Sequence, residues 1–281
     1  MPEMPEVETI RRSLEKKLQG RQILKCDVLL PRQVKWPDAN GFAARTTGRR
    51  IERLERRGKY LLFLLDNGNE MIIHLRMTGR LLYQANGLVQ DAYARILFQL
   101  DHGAMLVYAD TRTLGAVYAL HAGERWRIRG LVEMGPEPLT ADFTQDYLAA
   151  VLTGRKTAIK SFLLDQRKIG GLGNIYADEA LFAAGIHPQR MAGSLNAVEI
   201  RRLFTGIQQV IAAGIADGGT TFRDYIDGNG KKGHHQEHLR VYHQEGTACS
   251  VCGTRIEKIT VGGRGTHFCP HCQLLAGSAT C

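Results

Sequence analysis

Four cysteines in the last part of this chain constrain its folding more than any other feature. Cys249-x2-Cys252 and Cys269-x2-Cys272 stand sixteen residues apart. Each pair suits a tight turn that aims two thiolates at one cation, and two such pairs complete a tetrahedral site. The stretch between them, 255–266 with Gly262-Gly263 at its centre, is predicted to be a β-hairpin. Four protein ligands leave no open position, so the expected ion is one structural Zn2+ and not a catalytic one. The competing reading, two redox Cys-x-x-Cys pairs, calls for a βαβ pattern that is absent here. His234, His235, His238 and His243 lack any His-Glu-x-x-His spacing and read as a solvated polar loop, not a second metal site. Cys26 and Cys281 are left as unpaired thiols without a role. The tail at 274–281 is longer than the cysteine module needs.

Upstream, the hydrophobic pattern changes twice. Residues 6–18 read as a helix, with Pro5 suited to its first turn and Glu6 and Glu8 at its positive end. From about 23 to 120 the chain consists of short apolar runs broken by turn residues. Segments 60–65 and 71–75 flank Asp66-Asn67-Gly68, and 95–100 and 104–108 flank Asp101-His102-Gly103. Repeated hairpins of this kind imply an antiparallel sandwich or barrel. Gly135-Pro136-Glu137-Pro138 reads as a linker, and beyond it the period becomes helical over 147–152, 158–166, 175–184 and 199–216. Asn196 and Glu199 stand at capping-box spacing before the last helix. A glycine-rich, histidine-bearing loop at about 218–238 then leads to the cysteines. The expected fold is α+β and multidomain: an antiparallel β-sandwich with an N-terminal helix over 1–135, a helical domain with a loop over 136–238, and a zinc module with its tail over 239–281.

Lys and Arg outnumber Asp and Glu by 37 to 28, a formal net charge of +9. That excess favours a polyanionic partner, because neutralising phosphates releases condensed counterions, although charge alone does not single out nucleic acid. No apolar run approaches the roughly 20 residues that cross a bilayer, so no membrane partner is expected. The acidic, proline-bearing opening is unlike a signal peptide. A cytosolic setting is expected, where disulfides rarely persist.

The opening also carries candidate chemistry. Removal of Met1 would expose Pro2 as a secondary amine, and an α-amino group with a pKa of roughly 7.7–8.0 keeps a useful neutral fraction at physiological pH. Attack on a sugar C1′ by such an amine yields an iminium that is cationic without protonation. It acidifies the C2′ proton and so favours elimination. Glu3 is placed to act as a general acid, and a helix start would aim Glu6 at the same space. Read by themselves, these residues fit an ordinary helix start better than a catalytic site, since Pro-Glu before a helix is commonplace.

The run Pro2-Glu3-Met4-Pro5-Glu6-Val7-Glu8-Thr9 resembles the opening of the bacterial formamidopyrimidine-DNA glycosylases. The resemblance continues through Arg57-Gly58-Lys59-Tyr60, His74-Leu75-Arg76-Met77-Thr78-Gly79, Asp110-Thr111-Arg112, Gly171-Leu172-Gly173-Asn174-Ile175-Tyr176 and Arg264-Gly265-Thr266. It runs in the family's order from Pro2 to Gln273. The endonuclease VIII branch fits less well, since its opening lacks this pattern. The resemblance implies a bifunctional glycosylase and abasic-site lyase that excises 8-oxoguanine and formamidopyrimidines from duplex DNA by β,δ-elimination. It also implies a helix–two-turn–helix element and a monomer working on bacterial, nucleoid-associated DNA. Pro2 would be the Schiff-base nucleophile, Glu3 the acid, Lys59 an aid to β-elimination, and Arg264 the phosphate grip implicated in δ-elimination. Phosphate contacts would come from His74, Lys156, Lys160, Asn174 and Arg95, the last standing where the family often has histidine. Met77, Arg112 and Leu114 would fill the hole left by the flipped base, with Leu114 replacing the usual phenylalanine and Thr113 a frequently basic residue. Glu6, Thr220, Arg223 and Tyr225 would line the lesion, beneath a loop at 220–225. Two other readings stay open: preference for oxidised pyrimidines, and a non-catalytic zinc-finger DNA-binding protein.

Overall fold

Short apolar runs become strands and longer amphipathic runs become helices, in a computed structural model that describes residues 1–275. Residues 276–281, Cys281 among them, lie outside the described part. Contacts divide the chain into two units, one of 1–132 with 217–234 and one of 133–216 with the segment from 235 onward.

The first unit opens with α1 (Met4–Leu18). Glu3 is its N-cap, and Glu6 closes a capping box by accepting the Glu3 amide at 2.7 Å. Val7, Ile10, Leu14 and Leu18 recur at helical spacing and are buried in the core. There follow β1 (Ile23–Val28), β2 (Val34–Trp36), α2 (Ala39–Thr46), β3 (Ile51–Arg57), β4 (Tyr60–Leu65), β5 (Glu70–His74), β6 (Gly79–Gln84), β7 (Ala94–Leu100), β8 (Met105–Asp110), β9 (Ala116–Leu120) and the short α3 (Arg129–Val132). One sheet has the order β1-β7-β8-β6 and the other β2-β9-β5-β4-β3. Their inner faces share one core: Phe98 and Tyr108 come from the first sheet, Phe63 and Ile73 from the second, and Phe42 from α2. The expected antiparallel sandwich with an N-terminal helix is present. Its one departure is β2, which runs parallel to β9.

The second unit contains α4 (Gln145–Leu152), α5 (Ile159–Leu163), α6 (Asn174–Ala184), α7 (Ala197–Ala216), and the hairpin of β10 (Glu257–Val261) and β11 (Arg264–Phe268). Asn196 and Glu199 cap α7 reciprocally, each accepting the other's amide at 2.9 Å. Glycines on α7 let it lie against α6: a Cβ on Gly214 would stand 2.5 Å from the Tyr176 ring. The helix expected over 158–166 stops at Leu163. Gln166 instead builds the glycine turn, donating to the Leu172 carbonyl at 2.7 Å and accepting the Gly171 amide at 2.9 Å.

Candidate functional site

In the first unit, the start of α1 is sealed by a distant segment. Pro2, Glu3 and Glu6 are all buried. One oxygen of Glu6 takes the Glu3 amide and the other takes the Thr220 amide at 2.8 Å. Gly219 permits this approach, because a Cβ there would meet Glu6 Cγ at 2.9 Å and its φ is +86°. Tyr225 donates to the carbonyls of Gly218 at 3.0 Å and Glu6 at 3.3 Å. Burial, and then the nearby Glu6 charge, push the Tyr225 hydroxyl above its ordinary range, so it stays a donor. Of the residues expected to line a lesion, Glu6, Thr220 and Tyr225 therefore come together. Arg223 does not join them: its side chain is 79% exposed and pairs with Asp224 at 3.0 Å. The carboxylate of Glu6 serves two backbone amides, which makes it a brace for the loop.

Lys59 lies in the two-residue turn between β3 and β4, where Gly58 adopts φ +54°. It is buried despite its place at a hairpin tip. Glu8 on α1 accepts from Arg11 at 2.9 Å, Arg12 at 2.7 Å and Arg56 at 3.1 Å, and Arg56 donates onward to the Gly58 carbonyl at 3.0 Å. Burial alone would raise the Glu8 carboxyl, but the bonds from Arg11 and Arg12 and the charge of Arg56 outweigh it and hold it at about 2. This relay fixes the turn that carries Lys59 against the helix that carries Glu3.

His74 ends β5 directly opposite Tyr60, with the two rings edge to face at 4.5 Å. Burial, then the charges of Arg76 and Lys59, lower its pKa to about 3. Its Nδ1 accepts the Arg76 amide at 3.1 Å, so the neutral ring carries its proton on Nε2 and can donate there.

At the same end of the sheets, two loops are clamped by Asp110, which is fully buried. Asp110 accepts from the Thr78 hydroxyl at 2.6 Å and from the Gly115 amide at 2.8 Å, and Thr78 in turn accepts the Arg112 amide at 3.0 Å. A Cβ on Gly115 would lie 1.9 Å from the Tyr108 hydroxyl, so only glycine closes this loop. Met77 and Leu114 protrude from the clamped loops, 40% and 49% exposed, with Arg112 exposed beside them. Arg95 donates to the Asp110 carbonyl at 3.0 Å.

In the second unit, Asn174 begins α6 after the glycine turn, as expected, and donates to the Gly265 carbonyl at 3.0 Å. Arg264, the neighbour of Gly265, is exposed at the start of β11. Lys156 is exposed too, on the segment before α5. Lys160 departs from expectation. Its ammonium is fully buried, paired with Asp178 at 2.6 Å and donating to Gly265 at 2.9 Å and Thr266 at 2.8 Å. A cation so enclosed holds the hairpin to the helix, with none of its surface left for a phosphate. The cysteine sulfurs of Cys249, Cys252, Cys269 and Cys272 lie within 4.8 Å of one another. Two of their separations, 3.9 Å and 3.5 Å, bracket the ~3.8 Å edge of a tetrahedron with metal–sulfur bonds of ~2.3 Å. They hold one structural zinc ion.

Arg56, Asp178 and Glu179 were not singled out from sequence; Glu8 was read only as a charge at the helix start, and Thr78 and Asp110 stood in quoted motifs without an assigned role. Glu179 accepts the amides of Arg240, Val241 and Tyr242 at 2.8–3.0 Å, and so anchors the segment leading to the cysteines.

Residues 1–117 match the model of the formamidopyrimidine-DNA glycosylase N-terminal domain, 134–225 that of the H2TH domain, and 246–274 that of a zinc finger found in FPG and IleRS. A formamidopyrimidine-DNA glycosylase of Desulforamulus reducens is 46% identical over 274 residues, 97% of this chain and 99% of the relative. A point mutant of Lactococcus lactis FPG, in complex with DNA containing Fapy-dG, superposes with a TM-score of 0.90 at 35% identity, covering 97% of this chain and 100% of that one. The wild-type Lactococcus lactis protein with DNA containing an oxidised pyrimidine gives the same TM-score, identity and coverage.

Proposed function

This chain belongs to the formamidopyrimidine-DNA glycosylase family, a family of DNA glycosylases acting on damaged DNA, and on that premise we propose that it excises oxidised purines through a Schiff base on Pro2 and then cleaves the strand. The observation that carries the reading is the enclosure of Pro2 and Glu3 at the start of α1, with Glu6 bridging the Glu3 and Thr220 amides.

Once Met1 is removed, the Pro2 nitrogen is a secondary amine. Its lone pair forms a bond to C1′ as the C1′–base bond breaks, and Glu3 supplies a proton to the departing side. The amine loses its proton, the sugar ring opens, and an iminium forms. Loss of the C2′ proton then expels the 3′ phosphate, and a second elimination expels the 5′ phosphate, leaving a one-nucleotide gap. Lys59 serves these eliminations, within a turn whose geometry Glu8 and Arg56 maintain. His74, Arg95, Asn174, Lys156 and Arg264 engage phosphates. For His74 this is a neutral Nε2–H donor; for Asn174 it is the start of a helix, where backbone N–H groups favour anions. Met77, Arg112 and Leu114 enter the duplex when the lesion leaves the stack. In this reading the division at 135/136 and 238/239 separates the catalytic, helical and zinc modules, and the chain works as a monomer on cytoplasmic DNA. Among the described residues no helix is long and apolar enough to cross a membrane.

Borohydride added to protein and an 8-oxoguanine·cytosine duplex should trap a covalent adduct, and an end-labelled strand should show β,δ-elimination products. No adduct from protein whose Met1 is verified as removed would refute the Pro2 route. Oxidised pyrimidines form a second substrate class, favoured by the DNA held in one structural neighbour. Competition between thymine glycol and 8-oxoguanine duplexes ranks the two.

A further inference from the structure

A third loop belongs to the Asp110 platform. Gln33 is fully buried, and its side-chain amide donates to Asp110 Oδ2 at 3.3 Å while its oxygen accepts the Tyr108 hydroxyl at 3.2 Å. The residue before it, Arg32, is exposed and donates from Nη2 to the Thr113 hydroxyl at 2.8 Å. Thr113 sits between Arg112 and Leu114 with φ +55°, a strained conformation for a β-branched residue. Arg32 thus reaches from the 31–33 turn to the loop bearing Leu114, and both loops hang on one buried carboxylate.

Charge sharpens the point. Among the described residues no carboxylate pairs with Arg32, Lys35, Arg95 or Arg112, whereas Arg80 and Arg125 of the same unit each have one. Lys35 caps the Arg32 carbonyl at 2.7 Å, adding a second cation to the turn. A surface guanidinium held in place by a neutral hydroxyl keeps most of its donors and its full charge for an external anion.

We propose that Arg32 is a further DNA-binding residue of this chain, gripping a backbone phosphate beside the point where Leu114 and Arg112 enter the duplex. Thr113 contributes by positioning: its own side chain carries no charge, and it serves as the post that aims Arg32. This inference rests on the DNA-binding reading above.

The test measures binding of the full-length zinc-loaded protein to a duplex bearing a tetrahydrofuran abasic-site analogue, across a salt series. Arg32→Ala should lower affinity on the order of tenfold and flatten the slope of log K against log salt by about one, the signature of one lost phosphate contact. Arg32→Lys should restore the slope. Arg125→Ala, an equal loss of charge at a residue paired with Glu70, should leave the slope unchanged. Melting temperatures verify that each variant is folded. An Arg32→Ala slope equal to wild type, or an Arg125→Ala change of the same size, overturns the assignment while leaving the glycosylase reading intact. A wild-type chain without salt-dependent binding overturns both.

Discussion

Lys160 and Asp178 form an ion pair at 2.6 Å with neither side chain reaching solvent. The second Asp178 oxygen accepts the His267 amide at 2.9 Å, and Lys160 also grips Gly265 and Thr266, so one buried pair joins α5 and α6 to the strand that Arg264 begins. Lys160→Met should destabilise the fold by about 3–5 kcal/mol, because it strands a carboxylate in a dry site. Adding Asp178→Asn should recover part of that loss. Denaturant unfolding of the single and double variants decides; a single-variant cost under about 1 kcal/mol would show the pair to be dispensable.

The Glu6 brace should matter to the loop more than to the fold as a whole. Glu6→Gln keeps the shape but turns an –NH2 toward one of two amides, losing bonds to a charged acceptor worth about 1.5–3 kcal/mol each. Excision of 8-oxoguanine should fall on the order of tenfold or more, and protease should cut within 217–234 sooner. Unchanged excision together with unchanged proteolysis would contradict the brace.

Acid should weaken the protein in two stages. His74 is neutral when folded, with a pKa of about 3 against 6.5 unfolded, so the unfolded chain binds the extra proton and stability falls as pH drops through that window. Glu8, at about 2 against 4.5, adds its loss only below 4.5. Melting temperature against pH should therefore decline from about pH 6.5 and steepen near 4.5. His74→Gln should flatten the upper part of the curve and Glu8→Gln the lower; a variant curve parallel to wild type throughout would remove that group from the account.

Chelation of zinc should unfold the module around Cys249, Cys252, Cys269 and Cys272, since structural zinc sites contribute about 10–16 kcal/mol in small peptides. Elemental analysis should find one zinc per chain. The stripped protein should lose DNA binding, along with the hairpin that presents Arg264. Full binding by metal-free protein would disconnect the hairpin from DNA.

Leu114 stands 49% exposed on the Asp110 platform, where it can present apolar bulk but no aromatic face. Leu114→Phe should tighten binding to abasic duplex by about 1–3 kcal/mol, the scale of base–aromatic stacking. Equal affinities would mean that this side chain does not enter the stack.

The zinc cysteines, the helix over α6, the hairpins β4–β5 and β7–β8, and the cap of α7 were all readable from local spacing, whereas the Glu3–Glu6 capping box of α1 was not read. Each depends on residues a few positions apart, whose periodicity is written in order along the chain. The parallel pairing of β2 with β9 was not readable, since three residues carry no period. Nor was the end of α5, where Gln166 gives up helical pairing to build the glycine turn.

The site divides along the same line. Pro2, Glu3, Lys59, His74 and Asn174 stand in the motifs that carry the family resemblance, so sequence alone could name them as candidates. The burial of Lys160, the bond from Thr220 to Glu6, the Asp110 clamp and the reach of Arg32 to Thr113 join residues far apart in the chain. No local pattern encodes such pairings. A carboxylate or ammonium reads the same whether solvated or enclosed, and packing alone decides which partners replace the water it gives up.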